Sequence, residues 1–280
     1  MADTKLKMTQ SLFKELADYK MDKGCGLQVK AKYVDGVNFP PSESQLLGQW
    51  FEYQATGQLP RDGKEPIPPR LKPKKLTKKE LESGLKQEDV LGELPKAYRD
   101  MSVQVEAFKT MLEYYKVEIL ETGTRLTSDT LNIQGDIDII ARRKGDDKVF
   151  FVDVKSTGLI DNKWDDYGWA DEALEYKDRL LVQAVHYKIL GFEKYGYYPD
   201  FYFWVFSTKN TQARKIFKIE VDTDRYEQHL QYVRKAQEYF DEQQINGWIA
   251  RPTPARCDKC PLKDTCDSFR TVPTTKIIYY

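Results

Sequence analysis

Residues 134–158 read QGDIDIIARRKGDDKVFFVDVKSTG. Two apolar runs flank the polar turn KGDD at 144–147, which predicts a hairpin of two strands over 131–141 and 149–156. Asp136 and Asp138 sit on the first strand, Asp153 and Lys155 on the second. Side chains two apart leave the same face of a strand, so each of these pairs shares a face. The second strand begins apolar on both faces, Val149 to Val152, as a central strand does. A carboxylate at the end of such a strand is costly unless it is paired or metal-bound. One carboxylate from each strand, with a lysine alongside, makes an oxygen-lined pocket with one fixed positive charge. Hard divalent cations, Mg2+ or Mn2+, take carboxylate, carbonyl and water oxygens. Such an ion polarises a phosphoryl oxygen and lowers the pKa of a bound water. The lysine would orient that water or stabilise charge in the transition state. The same spacing also fits an ordinary Asp–Lys pair closing a hairpin end.

Around this hairpin, 280 residues allow one large domain or two small ones. Hydrophobic residues make up 40% and charged residues 31%, a globular composition. Lys+Arg and Asp+Glu are equal at 44 each, so any surface for nucleic acid or membrane must be local. No leader pattern opens the chain and no apolar run reaches a membrane span, which points to an intracellular protein with reduced thiols. Helical periodicity predicts helices over 9–22, 43–54, 96–115 and 225–246, and one ending near 190. Further strands are expected over 117–121, 201–207 and 215–221. The segment 57–73 is Pro-rich and irregular, and Thr77–Lys–Lys–Glu80 has the form of a capping box. Residues 70–79 hold six basic residues and no acid, either a solvated linker or a DNA-backbone contact. The order predicts an α/β core with a mixed central sheet and helical flanks.

Gly135 to Asp138 gives G-x-x-D, and Asp153-Val154-Lys155 gives D-x-K. Together they resemble the PD-(D/E)XK nuclease superfamily, with its restriction-endonuclease-like core. In that resemblance Asp138 is the first-strand ligand and Asp136 supports it from behind. Gln183-Ala-Val-His-Tyr187 looks like the Q-x-x-x-Y motif of the RecB-like branch, whose Gln and Tyr share one helix face. Gly48-Gln-Trp-Phe-Glu52 resembles the G-x-x-x-(H/E) element, which makes Glu52 a further metal ligand. His186 and His229 are given no role.

Cys257, Cys260 and Cys266 form C-x2-C-x5-C, and Cys25 lies near the other terminus. Three close thiols and one distant one would complete tetrahedral ligation, of zinc or of an iron–sulfur cluster. The arrangement is similar to that of the iron–sulfur RecB-like nucleases, among them the CRISPR-associated exonucleases and the AddB nuclease domain. That likeness implies a 4Fe–4S cluster stapling Cys25 to the segment 251–268.

The resemblance therefore implies one RecB-like nuclease domain over 1–280, with an insertion at 58–98. It implies a Mg2+- or Mn2+-dependent deoxyribonuclease, an exonuclease on single-stranded or end-processed DNA. Glu52, Asp138, Asp153 and the Val154 carbonyl would hold the metal, Lys155 would position the water, and Gln183 and Tyr187 would support substrate binding. The aromatic loop 161–172 would stack on unpaired bases or pack as a lid. The alternative is a DNA-end-binding or scaffold subunit in a recombination, CRISPR-adaptation or phage-replication complex. A third reading is a zinc-stapled protein without nuclease activity. The host, bacterial, archaeal or viral, is left open.

Overall fold

The run VFFV at 149–152 becomes the middle of a mixed sheet in the computed structural model, which describes residues 6–72, 75–77, 83, 86, 92–165, 167–172, 178–253, 257–258 and 260–270. In chain order the described elements begin with β1 (Met8–Thr9), α1 (Gln10–Lys20), α2 (Gly26–Tyr33), α3 (Glu43–Thr56) and α4 (Lys96–Tyr114). The hairpin region follows as β2 (Val117–Ser128), β3 (Ile133–Arg143) and β4 (Val149–Thr157). The chain continues through α5 (Asp178–Tyr195), β5 (Asp200–Ser207), β6 (Arg214–Ile219), α6 (Thr223–Asn246) and α7 (Asp267–Arg270). Two compact units emerge, one formed by Met1–Pro40, Thr127–Gly135 and Val221–Tyr280, the other by Pro41–Leu126 and Asp136–Glu220.

The second unit is the α/β core. β4 runs antiparallel to β3, with Ile139 opposite Val152 and Ala141 opposite Phe150. It runs parallel to β5, from Phe150 opposite Asp200 to Thr157 opposite Ser207, and β5 is antiparallel to β6. A parallel pair needs a long crossover, which α5 supplies. α3 begins with a capping box between Ser42 and Gln45 and ends at Gly57, whose φ of 78° suits glycine. Leu47, Trp50 and Phe51 give it one buried stripe, and Phe51 meets the Phe206 ring at 5.0 Å. α4 buries Met101, Val105 and Phe108 in the same cluster. Its fully buried Gln104 donates to the carbonyls of Ser207, Asn210 and Ala213, fixing the β5–β6 turn. The expected α/β class with mixed sheet and helical flanks stands.

The first unit is built from chain segments far apart in sequence. β1 pairs in parallel with the start of β3, Met8 opposite Ile133. Thr9 caps α1 through Leu12 N–H at 3.0 Å. α1 buries Leu12, Leu16 and Tyr19, and α6 buries Tyr226, His229, Val233 and Phe240.

Here one expectation is overturned. Cys25, Cys257, Cys260 and Cys266 line a common pocket, but they are free thiols. Among the described residues no group of three or more His, Cys, Asp or Glu is placed to hold a metal ion. The expected 4Fe–4S cofactor, the iron–sulfur branch and the cluster staple are therefore not carried by this fold. Cys25 instead starts α2, its carbonyl accepting from Gln28 and Val29 and its Sγ from Arg251 N–H at 3.5 Å. The joining of early and late segments is done by other groups. Gly26 N–H donates to the Ile249 carbonyl at 3.0 Å and Ile249 N–H to the Tyr19 hydroxyl at 3.0 Å. Arg251 lies over the Tyr19 ring at 4.4 Å, pairs with Asp22 at 2.8 Å and donates to the Tyr19 carbonyl. The capping box at Thr77–Glu80 and much of the basic run 70–79 lie outside the described residues.

Candidate active site

Strand alternation sends Asp153 and Lys155 to one face of β4, and there they form an ion pair. Asp153 is only 1% exposed. The antiparallel register, carried one residue past the Ile139–Val152 pair, brings Asp138 opposite Asp153. The Asp138 carboxylate accepts the Val154 N–H at 2.9 Å. From α5, the Gln183 side-chain amide donates to Asp153 Oδ1. Tyr187, one helical turn on, is buried and within electrostatic reach of Asp153, Asp138 and Asp136. Glu52 arrives from α3. Four residues earlier Gly48 faces β4, where an added Cβ would lie 3.2 Å from Ser156 Oγ. The absent side chain lets the helix approach the strand end, and Glu52 shares that helix face.

Six residues from four elements thus gather in one group. Burial pushes the Glu52 carboxyl up to about 7, against the pull of Lys155 and with a further push from Asp153. Burial and the Asp153 charge hold Asp138 well above the usual carboxylate range, although Lys155 and the Val154 N–H oppose them. Burial alone would lower Lys155, but Asp153, Asp138 and Glu52 together hold it above the ordinary lysine value. Burial and the same acids keep the Tyr187 hydroxyl protonated. Asp153 Oδ2 is buried without a hydrogen bond of regular geometry and meets only the Lys155 ammonium. As described, these carboxylates are not spaced as a ready three-ligand cluster.

Asp136 faces a different set of partners. Its carboxylate accepts from Arg125 Nε at 2.7 Å and Nη2 at 3.1 Å, and from Arg61 Nη2 at 2.6 Å. Burial would raise its pKa, but the two arginines hold it below the ordinary value. Sequence reasoning passed over both arginines. Arg61 lies 75 residues from Asp136, in the stretch read as an insertion, so no local spacing signals it.

The aromatic loop after β4 divides its rings. Trp169 is buried, at 5.1 Å from Phe203 and stacked on Phe217 at 5.8 Å. Trp164 is 86% exposed, with Lys163 over its ring at 5.0 Å. Asn162 Oδ1 fixes the turn beneath it by accepting from Trp164 N–H and Asp165 N–H. His186 is fully buried beside Tyr187, and His229 packs against Phe13. Among the described residues no helix is long and apolar enough to cross a membrane.

The family described as the PD-(D/E)XK nuclease superfamily matches residues 23–267. Among solved structures, a "Putative exonuclease" from Eubacterium rectale superposes with a TM-score of 0.57 at 17% identity, covering 98% of this chain and 91% of that one. At that identity the likeness is one of fold. No curated protein matches the chain. The family match runs from the segment before α2 to the start of α7 and includes the strand pair, α3 and α5; the chain belongs to the PD-(D/E)XK nuclease superfamily.

Proposed function

We propose that this chain is a Mg2+- or Mn2+-dependent deoxyribonuclease that hydrolyses phosphodiesters of single-stranded or end-processed DNA, acting as an exonuclease. A nuclease role follows from family membership; the metal, the substrate and the residue roles are our reading. The observation that carries it is the crowding of Glu52, Asp138 and Asp153 around one lysine, tight enough that Glu52 is pushed up to about 7 and Asp138 is held well above the usual carboxylate range. Three crowded carboxyls with a single ammonium among them are short of positive charge once they ionise. Its donors are all oxygen, which suits a hard divalent cation. Glu52, Asp138, Asp153 and the Val154 carbonyl would hold that ion. When bound, it supplies Lewis acidity and a water of lowered pKa.

The chain's own groups then do the following. Gln183 fixes the rotamer of Asp153 by donating to Oδ1. Lys155 carries a fixed positive charge where negative charge develops on the phosphoryl oxygens. Tyr187 keeps its proton and would donate a hydrogen bond to a non-bridging oxygen. Glu52 exchanges its proton near pH 7 and so trades it for a cation at physiological pH. Trp164, exposed on a turn whose base is anchored by Trp169, offers a face for an unpaired base.

Cleavage of end-labelled single- and double-stranded DNA, with Mg2+, with Mn2+ and with chelator, tests this. We expect metal-dependent cleavage by the wild type that Lys155→Ala and Asp153→Ala both abolish. Equal cleavage by all three proteins would sink the assignment. A folded wild type that binds DNA ends without cutting them would instead favour an end-binding subunit.

A further inference from the structure

We propose that Arg61 and Arg125, bridged by Asp136, form a clamp for a backbone phosphate of the substrate strand beside the acidic pocket. The inference rests on the nuclease reading above and extends it to substrate binding. Asp136 lies two residues before Asp138 on β3, so both leave the same face. The charge of each is felt by Tyr187, which places clamp and pocket next to one another. Two guanidiniums on one carboxylate leave a net charge of +1. Arg61 uses one of its five N–H donors on Asp136 and Arg125 uses two. The Arg61 side chain is 85% exposed and that of Arg125 56% exposed, so their remaining donors face solvent.

A planar fork of N–H donors matches phosphate oxygens, and a partner carboxylate fixes its orientation beforehand. The neighbouring pocket gathers three acids around one lysine, so a polyanion approaching it needs cations at the edge. Arg61 is also held by its own segment. Gln58 packs where a side chain on Gly123 would stand, 2.7 Å from the position of its Cβ, and Gly123 has a φ of +58°. Gly63 N–H closes the next turn onto the Pro60 carbonyl at 2.9 Å. Gly123 and Arg125 belong to one strand, β2, so both arginines are set from the same support. Exposed ion pairs of this kind add little to stability, which makes stability a weak reason for the arrangement.

The test measures binding of labelled single-stranded DNA in chelator across a range of salt, together with KM and kcat in Mn2+ and the melting temperature. The proteins are wild type, Arg61→Gln, Arg125→Gln, Arg61→Lys, and Lys235→Gln as a control for a lost surface charge on α6. Each glutamine variant should weaken binding several-fold and lower the slope of log affinity against log salt by about 0.7 per lost contact. KM should rise by more than kcat falls, and Arg61→Lys should recover part of the loss. A lowered melting temperature with an unchanged slope would reduce the arginines to a surface staple and overturn the clamp. Wild-type cleavage with unaltered affinity and slope in both glutamine variants would overturn the clamp alone. A wild type that neither binds nor cleaves DNA would overturn the nuclease reading and the clamp with it.

Discussion

Near neutral pH Glu52 is half protonated, because burial outweighs the attraction of Lys155. An acid whose pKa is raised by folding stabilises the fold below its unfolded value and loses that contribution as pH rises through the folded one. For Glu52 that window runs from 4.5 to about 7, and Asp138, also raised, acts with the same sign. Lys155 is raised above 10.5, so its contribution is constant across this window. The melting temperature of the metal-free protein should therefore fall from pH 4.5 to 7 by more than that of Glu52→Gln, and Mn2+ should restore it at pH 7.5. A profile that Glu52→Gln leaves unaltered would show that the carboxyl is solvated. Lys155→Ala should lose about 10^3-fold or more in turnover. It should be more destabilised at pH 8 than at pH 5, where Glu52 holds its proton and leans less on the ammonium. Asp138, Asp153 and Lys155 were legible as a group because strand alternation and a short hairpin are local. The Arg61–Asp136–Arg125 bridge was not, since only the folded sheet brings its ends together.

At the scale of elements, the site depends on how closely two helices lie on β4. Gly191 sits on α5 where a Cβ would come 2.5 Å from Pro199 Cδ and 2.9 Å from the Phe151 ring. Gly191→Ala should cost about 1–3 kcal/mol and reduce cleavage as well, because α5 carries Gln183 to Asp153. Thermal melting and single-turnover rates would check this, and an unaltered rate would uncouple the helix position from the site. On the loop after β4 the two tryptophans should separate. Trp164→Ala should weaken single-strand binding by about 1–3 kcal/mol without lowering the melting temperature. Trp169→Ala should destabilise by about 3–5 kcal/mol. The central strand was readable from its apolar run and α4 from its apolar stripe, while α6 was read as a long polar helix. α2 was not, because its eight residues have no side-chain cap and a weak stripe. β2 runs on to Ser128 through a polar, Gly-containing stretch, where pairing with β3 overrides sequence preference.

For the molecule as a whole, the cysteine spacing foretold that four thiols would gather, and they do line one pocket. It did not foretell that they would fall short of a ligand set, with Arg251 and Tyr19 tying the early and late segments together. Arg251→Ala should therefore cost about 2 kcal/mol or more, through the lost ring contact, ion pair and hydrogen bonds. Hydrogen exchange over 19–26 and 248–252 should quicken, and unaltered protection there would discount the tie. The same unit has a consequence for biosynthesis. α1 is finished at Lys20, but α6, which packs with it, begins at Thr223. At roughly 5–20 residues per second, about 10–40 seconds pass between the two on the ribosome. Throughout that interval Phe13 and Tyr19 wait without the α6 rings they pack against, those of His229 and Tyr239, so the nascent chain offers a chaperone a defined early segment, and one released before α6 would be prone to stick.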